Sequence, residues 1–148
     1  MKVQLQETLE HEQTALKLMA EYVWPWLSPL GIDDWFMVRG PFASRRFVLT
    51  GEAGGVCGAA VWEIRNIRPD GKVVLDLASC CVDEEREEFL WRLFDESLKA
   101  MQQLFTVALI LIEVDLEEAD WWRENLPPRK ETCHPEVGEV FFSYSPAP

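Results

Sequence analysis

Three consecutive segments, Val73-Val74-Leu75-Asp76-Leu77, residues 83–105 and residues 107–114, decide the fold of this chain. The first has the composition of a short strand, and the third is a continuous apolar run typical of a strand covered on both faces. The residues between them repeat apolar side chains with a period of 3.6, which predicts one amphipathic helix from Asp83 to Phe105. The sequence therefore predicts a right-handed βαβ unit with parallel strands. The apolar positions of the helix are Phe89, Leu90, Leu93, Phe94, Leu98, Met101, Leu104 and Phe105.

Before this unit the sequence predicts a helix and a hairpin. Residues 3–24 are amphipathic, with Leu5, Leu9, Leu16, Met19 and Val23 on one face, and residues 31–41 fit either a short helix or a strand. Residues 46–50 and 56–64 are strand patterns around a glycine-rich loop, and Gly58 predicts a bulge or a close backbone approach. Pro69-Asp70-Gly71 predicts the turn into the next strand.

After the unit the sequence predicts a short helix and a last hairpin. Residues 116–126 contain Trp121 and Trp122 and end at a pair of prolines, which favours a short helix. Residues 129–144 are typical of a hairpin with its turn at Glu136-Val137-Gly138.

Length and charge limit the classes of function. A chain of 148 residues with 48% hydrophobic residues predicts one domain over residues 1–148. The net charge of −12 is concentrated in residues 76–120, which hold thirteen acidic and three basic residues. The sequence shows no basic cluster that could bind phosphates, which disfavours nucleic-acid binding. A cationic partner or substrate fits this charge, although acidic residues also keep proteins in solution.

Targeting signals and cysteine spacing indicate the compartment. The chain shows no signal-peptide pattern and no run of the ~20 apolar residues that span a membrane, so we expect a cytoplasmic protein without a membrane partner. The four cysteines fit neither a zinc site nor a secreted disulfide framework, which predicts reduced thiols and no metal. They are Cys57, Cys80, Cys81 and Cys133.

The order of these elements resembles the GCN5-related N-acetyltransferase (GNAT) family. The run from Phe47 to Ala59, with its apolar-glycine pair Cys57-Gly58, is similar to the strand-turn-strand of that family, and residues 119–125 are similar to its short helix after the buried strand. The resemblance implies an α/β (α+β) fold with a mixed, mostly antiparallel sheet, a central βαβ unit and helices on both faces. It also implies acetyl-CoA as cofactor, held by strand backbone near Cys80, Cys81 and Val82.

The family's pyrophosphate loop, of the form Arg/Gln-x-x-Gly-x-Gly/Ala, is degenerate in this sequence. Arg86 occupies its first position, where the resemblance implies cofactor binding, but Phe89 and Trp91 replace both glycines. A helix N-terminus attracts anions. Here the acidic residues of segment 83–88 would repel a pyrophosphate while stabilising the helix.

The catalytic positions also depart from the family pattern. The resemblance implies a general base near Asp76, whose pKa partial burial could raise, yet the same residue could equally be a solvated side chain on an open strand face. Trp122 stands where the family commonly has a tyrosine acid, and an indole N–H does not donate a proton near pH 7. The tyrosines are Tyr22 and Tyr144, outside that segment.

Two functions stay open at this point. The first is a non-catalytic or altered-ligand binding module, in which an acidic helix start and exposed aromatic side chains contact a basic protein or a cationic small molecule. The second is a divergent acetyl-CoA-dependent N-acyltransferase acting on a cationic amine, with Asp76 or water accepting the proton. The missing glycines favour the first. Its partner-binding residues would be Glu84, Glu85, Glu87, Glu88 and Trp122.

Overall fold

A single seven-stranded sheet organises the computed structural model, which describes residues 2–5, 14–19 and 44–147. The strand order is β1-β2-β3-β4-β5-β7-β6, and only the β4–β5 pair is parallel. The mixed, mostly antiparallel sheet predicted from the sequence is therefore confirmed. The strands are β1 (Lys2–Leu5), β2 (Ser44–Thr50), β3 (Val56–Ile67), β4 (Val73–Val82), β5 (Val107–Asp115), β6 (Lys130–His134) and β7 (Glu139–Tyr144). The helices are α1 (residues 14–19), α2 (Leu90–Leu104) and α3 (Ala119–Asn125).

The central unit β4-α2-β5 has the predicted parallel pairing but a different helix start. The α-helix begins at Leu90, and the preceding Glu84–Phe89 forms a 3₁₀ helix with a break at Arg86 (φ −118°, ψ 16°). The prediction of one helix from Asp83 is therefore wrong, and the first turn of α2 holds no acidic residue. Core packing of Phe89 and Leu90 accounts for the tighter winding, because it draws the segment inward before α2 begins.

The buried face of α2 agrees with the helical period at four predicted positions. Leu93, Phe94, Leu98 and Met101 are buried, whereas Leu104 is exposed at the end of the helix. The helix packs on β3 and β4, and its core continues between α3 and the C-terminal strands. This packing fixes the helix that follows β4 against the helix that follows β5.

The second face of the sheet carries a smaller core. Alternation along the strands points Val48, Ala59, Val61 and Cys81 away from α2, and they pack with residues of α1. Helices therefore cover both faces, as predicted. The predicted double coverage of β5 is only partial, because Ile110, Ile112 and Val114 are buried while the residues between them are half-buried or exposed. The α1 residues in this core are Ala15, Leu16, Leu18 and Met19.

The start of the chain differs from the prediction. Residues 2–5 pair with β2 as an edge strand instead of beginning a helix, because their alternation of polar and apolar residues suits a strand equally well. Leu16 and Met19 are buried on α1, as predicted. The predictions for Leu9, Val23 and residues 31–41 lie outside the described residues.

The predicted turns are confirmed. The loop after Thr50 closes with a bond from Gly51 N to Gly55 O, and Lys72 N donates to Asp70 Oδ1 in the next turn. Gly138, with φ 70°, lies in the last turn, between β6 and β7. Gly58 shows the predicted close backbone approach to β4, since a Cβ there would lie 2.9 Å from Val82 Cγ1.

Candidate functional site

The candidate site is a cleft that opens where the pairing of β4 with β5 ends. Their pairing ends at Leu77 and Ile112, although β4 continues to Val82 and β5 to Asp115. The β3–β4 register skips Ala78, because Val61 faces Ser79 and Trp62 faces Leu77. A bulge bends and twists its strand, which accounts for the divergence of β4 at this point. We call the space between residues 78–82 and residues 113–115 the β4–β5 cleft.

The 3₁₀ segment Glu84–Phe89 follows the end of β4 and stands where the resemblance implies a pyrophosphate loop. Two N–H groups at this segment are used within the chain, since Arg86 N donates to Asp83 O and Leu90 N donates to Glu87 O. Glu87 and Glu88 are exposed, so their carboxylates face any anion that approaches. Exposed negative charge at this segment therefore opposes the approach of an anion.

Arg86 turns toward the core beside β3. Its guanidinium hydrogen-bonds to the thiol of Cys57, whose pKa is nevertheless raised, first by burial and then by the nearby charge of Asp83. Arg86 Nε and Asp83 Oδ1 are both buried and have no hydrogen-bond partner among the described residues. The arginine expected to contact a cofactor is therefore partly buried against the sheet.

An aromatic cluster joins α2 and α3 on the face of the sheet that these helices cover. Trp91 contacts Trp121 with ring centroids 6.2 Å apart, and Phe94 lies 5.0 Å from Trp91 and 5.3 Å from Trp122. Trp121 and Trp122 meet edge to face at 5.0 Å, so these four rings form a closed circuit. The cluster links the two helices that flank the β4–β5 cleft. The resemblance implies a glycine at position 91, so the indole of Trp91 fills space that a glycine would leave open.

Trp122 does not belong to an exposed surface. Its side chain is 4% exposed and packs in the core with Phe94, so the expectation of an exposed aromatic at this position is wrong. Trp121, another aromatic residue expected to supply contact area, is half-buried. The other tryptophans expected to do so, Trp24, Trp26 and Trp35, lie outside the described residues. Of the expected acidic partner residues, Glu84 to Glu88 precede α2 rather than forming its first turn.

Carboxylates gather on the opposite face of the sheet, beside the closed end of the cleft. Asp76 and Glu113 each lie between two residues of the α2-side core, and Glu139 directly precedes Val140 of that core, so all three point to the other face. Asp76 is not on an open strand face: its side chain is 20% exposed and accepts a 2.9 Å bond from Arg65 Nη1.

Glu113 is the most perturbed member of this group. Its side chain is exposed, yet desolvation by its neighbours, a hydrogen bond with Glu139 and the charges of Glu139 and Asp76 raise its pKa from 4.5 to about 7, while Arg65 opposes the shift. A carboxyl group with such a pKa exchanges its proton near neutral pH. The sequence pattern does not single out Glu113, because the residues that perturb its pKa come from three other strands.

The cysteines assigned to cofactor binding lie inside β4 rather than after it. Cys80 is half-buried toward α2, and burial raises its pKa well above the usual range. Burial also raises the pKa of Cys81 to about 12, on the α1 side. Both thiols are therefore protonated at neutral pH and act as small apolar side chains. Val82 ends the strand and packs in the α2-side core.

The remaining acid, base and metal candidates do not form a site. Tyr144 is 6% exposed, and burial raises its pKa further above the ordinary value. His134 lies 3.5 Å from Glu136 and packs edge to face on Phe141.

Within residues 2–5, 14–19 and 44–147, no group of three metal-ligating side chains is present. No helix in the described part of the chain is long and apolar enough to cross a membrane. Tyr22 lies outside the described residues.

The comparisons with known proteins establish the fold. No protein-family model and no curated protein sequence matches the chain. Among solved structures, it is similar to a protein of the GNAT family from Desulfovibrio desulfuricans (TM-score 0.68, 11% identity, 97% of this chain and 98% of that chain). It is also similar to ribosomal-protein-alanine N-acetyltransferase from Brucella melitensis (TM-score 0.69, 13% identity, 98% and 99% of the two chains).

A plant enzyme has the same architecture. The chain is similar to glucosamine-6-phosphate N-acetyltransferase from Arabidopsis thaliana (TM-score 0.64, 11% identity, 90% of this chain and 95% of that chain). At these identities the likeness concerns the fold, so the chain has the GNAT fold predicted from its sequence. The substrates named for these enzymes are theirs, since function depends on the residues of a site.

Proposed function

We propose that this chain is a GNAT-fold binding module with a degenerate acyl-CoA site, which takes another ligand or partner in place of acetyl-CoA. The observation that carries the proposal is the 3₁₀ segment Glu84–Phe89, which exposes the carboxylates of Glu87 and Glu88 where the resemblance implies a pyrophosphate loop. A pyrophosphate needs positive potential, and the exposed carboxylates of this segment supply the opposite charge.

The side chain of Trp91 supports the same proposal. A glycine at this position allows the close backbone approach that the resemblance implies for a pyrophosphate, whereas an indole fills that space. Its contacts with Phe94 and Trp121 hold the ring in place, so moving it aside would break aromatic packing worth about 0.5–1.5 kcal/mol per pair.

The ligand of such a module is expected to be cationic. Three carboxylates, Asp76, Glu113 and Glu139, lie near the closed end of the cleft, and Arg65 is the basic side chain paired with Asp76. Charges of one sign that are grouped on a surface attract ligands of the opposite sign. A basic protein segment or a cationic small molecule fits this field.

Glu113 favours a second candidate, a divergent N-acyltransferase acting on a cationic amine. Its pKa of about 7 suits a general base at neutral pH, a role first assigned to Asp76. The ion pair of Asp76 with Arg65 makes Asp76 the less suitable of the two, because that carboxylate is already engaged. The donor of the acyl group would then have to be held without the usual pyrophosphate contacts.

Calorimetric titration with acetyl-CoA, CoA and pantetheine at low salt tests the proposal. We expect no saturable heat from CoA at millimolar concentration, since repulsion at Glu87 and Glu88 opposes its phosphates. Micromolar binding of CoA would overturn the proposal and favour the acyltransferase. Pantetheine, which lacks the pyrophosphate, is the matched control, because binding of pantetheine without binding of CoA would locate the defect at the phosphate segment.

A further inference from the structure

The free edge of β4 lies inside the sheet rather than at its margin. Residues 79–82 remain paired with β3 on one side, while β5 has moved away on the other. Among the described residues no strand takes the place of β5 there. Because alternate residues of a strand direct N–H and C=O groups to each side, this edge presents backbone donors and acceptors to the β4–β5 cleft.

These backbone groups lie in a buried setting. Ser79, Cys81 and Val82 are each no more than 8% exposed. A buried backbone donor or acceptor without a partner costs free energy, so such an edge is normally completed by another chain, a ligand or ordered water. The hydroxyl of Ser79, 4% exposed beside the bulge, has no nitrogen or oxygen partner among the described residues. The thiol of Cys81 is its hydrogen-bond partner, so the unpaired groups at this edge are those of the backbone.

Carboxylates lie at both ends of this edge. Asp76 and Glu113 are near the closed end, while Asp83 follows Val82 and Asp115 ends β5 at the open end. Arg65 is bonded to Asp76 and Arg86 is directed at the Cys57 thiol. The electrostatic field along the edge therefore favours a chain that carries positive charge.

We propose that the free edge of β4 takes an extended basic peptide as an added strand. The backbone of the peptide would pair with residues 78–82, which is a length of about 17 Å at ~3.3 Å per residue, and its basic side chains would face the carboxylates. This inference rests on the proposed function, because it names the class of partner that occupies the same cleft.

The experiment uses a blocked hexapeptide of alternating arginine and valine as probe. We expect its binding to slow amide hydrogen exchange at residues 78–82, and not in the β6–β7 hairpin. A version with N-methylated amides along one edge keeps the side chains and charge but cannot pair as a strand, so we expect it to bind at least tenfold more weakly. A glutamate–valine hexapeptide is the charge control and should not bind.

The outcomes separate this inference from the proposed function. Equal binding of the methylated peptide, or protection confined to other residues, would overturn strand addition. Absence of any peptide binding at millimolar concentration, in a sample that also fails to bind CoA, would overturn the inference and leave the proposed function standing. CoA binding in that sample would overturn both. The variant Glu113→Gln should weaken binding of the arginine peptide without altering the fold, because it removes charge and keeps shape.

Discussion

The indole N–H of Trp62 donates a 2.8 Å hydrogen bond to the hydroxyl of Ser97, which in turn donates to Phe94 O. Both residues are 0% exposed, and they join β3 to the middle of α2. A buried donor must have an acceptor, so this pair fixes the rotation of α2 over the sheet. It thereby sets the position of Phe94 and the aromatic cluster beside the cleft.

We predict that Ser97→Ala lowers the free energy of unfolding by about 1–3 kcal/mol, because the indole N–H is left buried without an acceptor. Urea denaturation followed by tryptophan fluorescence measures the change. Ser145→Ala is the matched control, since Ser145 is exposed and should change stability by less than about 0.5 kcal/mol. An equally small effect at Ser97 would show that this hydrogen bond does not hold α2.

Gly58 provides a second test of packing, between β3 and β4. A Cβ at this position would lie 2.9 Å from Val82 Cγ1, 3.1 Å from Cys81 O and 3.2 Å from Leu49 Cβ. We predict that Gly58→Ala destabilises the protein by about 1–3 kcal/mol in thermal or urea unfolding. Gly55→Ala is the control, since no atom lies within 4 Å of its Cβ. Measured against Val82→Ala alone, Gly58→Ala should cost less than in the wild type but still destabilise, because Cγ1 is gone while Cys81 O remains; no cost in that background would contradict the role of the backbone.

The sequence predicts those parts of the fold that depend on local pattern. The parallel pair, the turn at Asp70-Gly71 and the last hairpin follow from apolar runs and turn residues, and all are present. The helix start was predicted wrongly because the acidic run 83–88 is a strong local signal for a helix N-terminus, while core packing of Phe89 and Leu90 determines the actual winding.

The cleft itself could not be predicted in detail. The bulge at Ala78 depends on register against β3, which no local pattern encodes. The perturbed pKa of Glu113 depends on Glu139, Asp76 and Arg65, three residues from other strands. Asp76 was selected from the resemblance alone, and the ion pair that engages it comes from Arg65, which the sequence pattern did not connect with it.

The raised pKa of Glu113 predicts a pH dependence of stability. The folded state holds its proton up to about pH 7, whereas the unfolded chain releases it near 4.5, so the contribution is present at low pH and is lost as pH rises from about 4.5 to 7. We expect the wild type to lose about 1 kcal/mol more between pH 5 and pH 8 than Glu113→Gln, a value reduced for solvent screening. Urea unfolding at the two pH values measures this; parallel profiles would contradict the predicted shift.

Glu139→Gln separates the causes of that shift. It removes the charge that opposes ionisation of Glu113 but keeps a side chain that can hydrogen-bond. We expect the midpoint of the Glu113 titration, followed by carboxyl carbon NMR, to fall from about 7 toward 4.5 without reaching it, because desolvation by its neighbours remains the largest cause. An unchanged midpoint would show that Glu139 does not act on Glu113.

Introducing glycines into segment 86–91 tests the proposal that charge and bulk there exclude acyl-CoA. We predict that the triple variant Glu87→Gly, Phe89→Gly and Trp91→Gly gains affinity for CoA in calorimetry, since it removes a charge and two bulky side chains. It should also lower the midpoint of thermal unfolding, because each glycine in a helical segment costs about 1 kcal/mol and the contacts of Trp91 are lost. The charge-only control, Glu87→Gln with Glu88→Gln, keeps the packing, so a gain there alone would assign the block to repulsion. Unchanged CoA affinity in a folded triple variant would show that neither charge nor bulk at this segment excludes the cofactor.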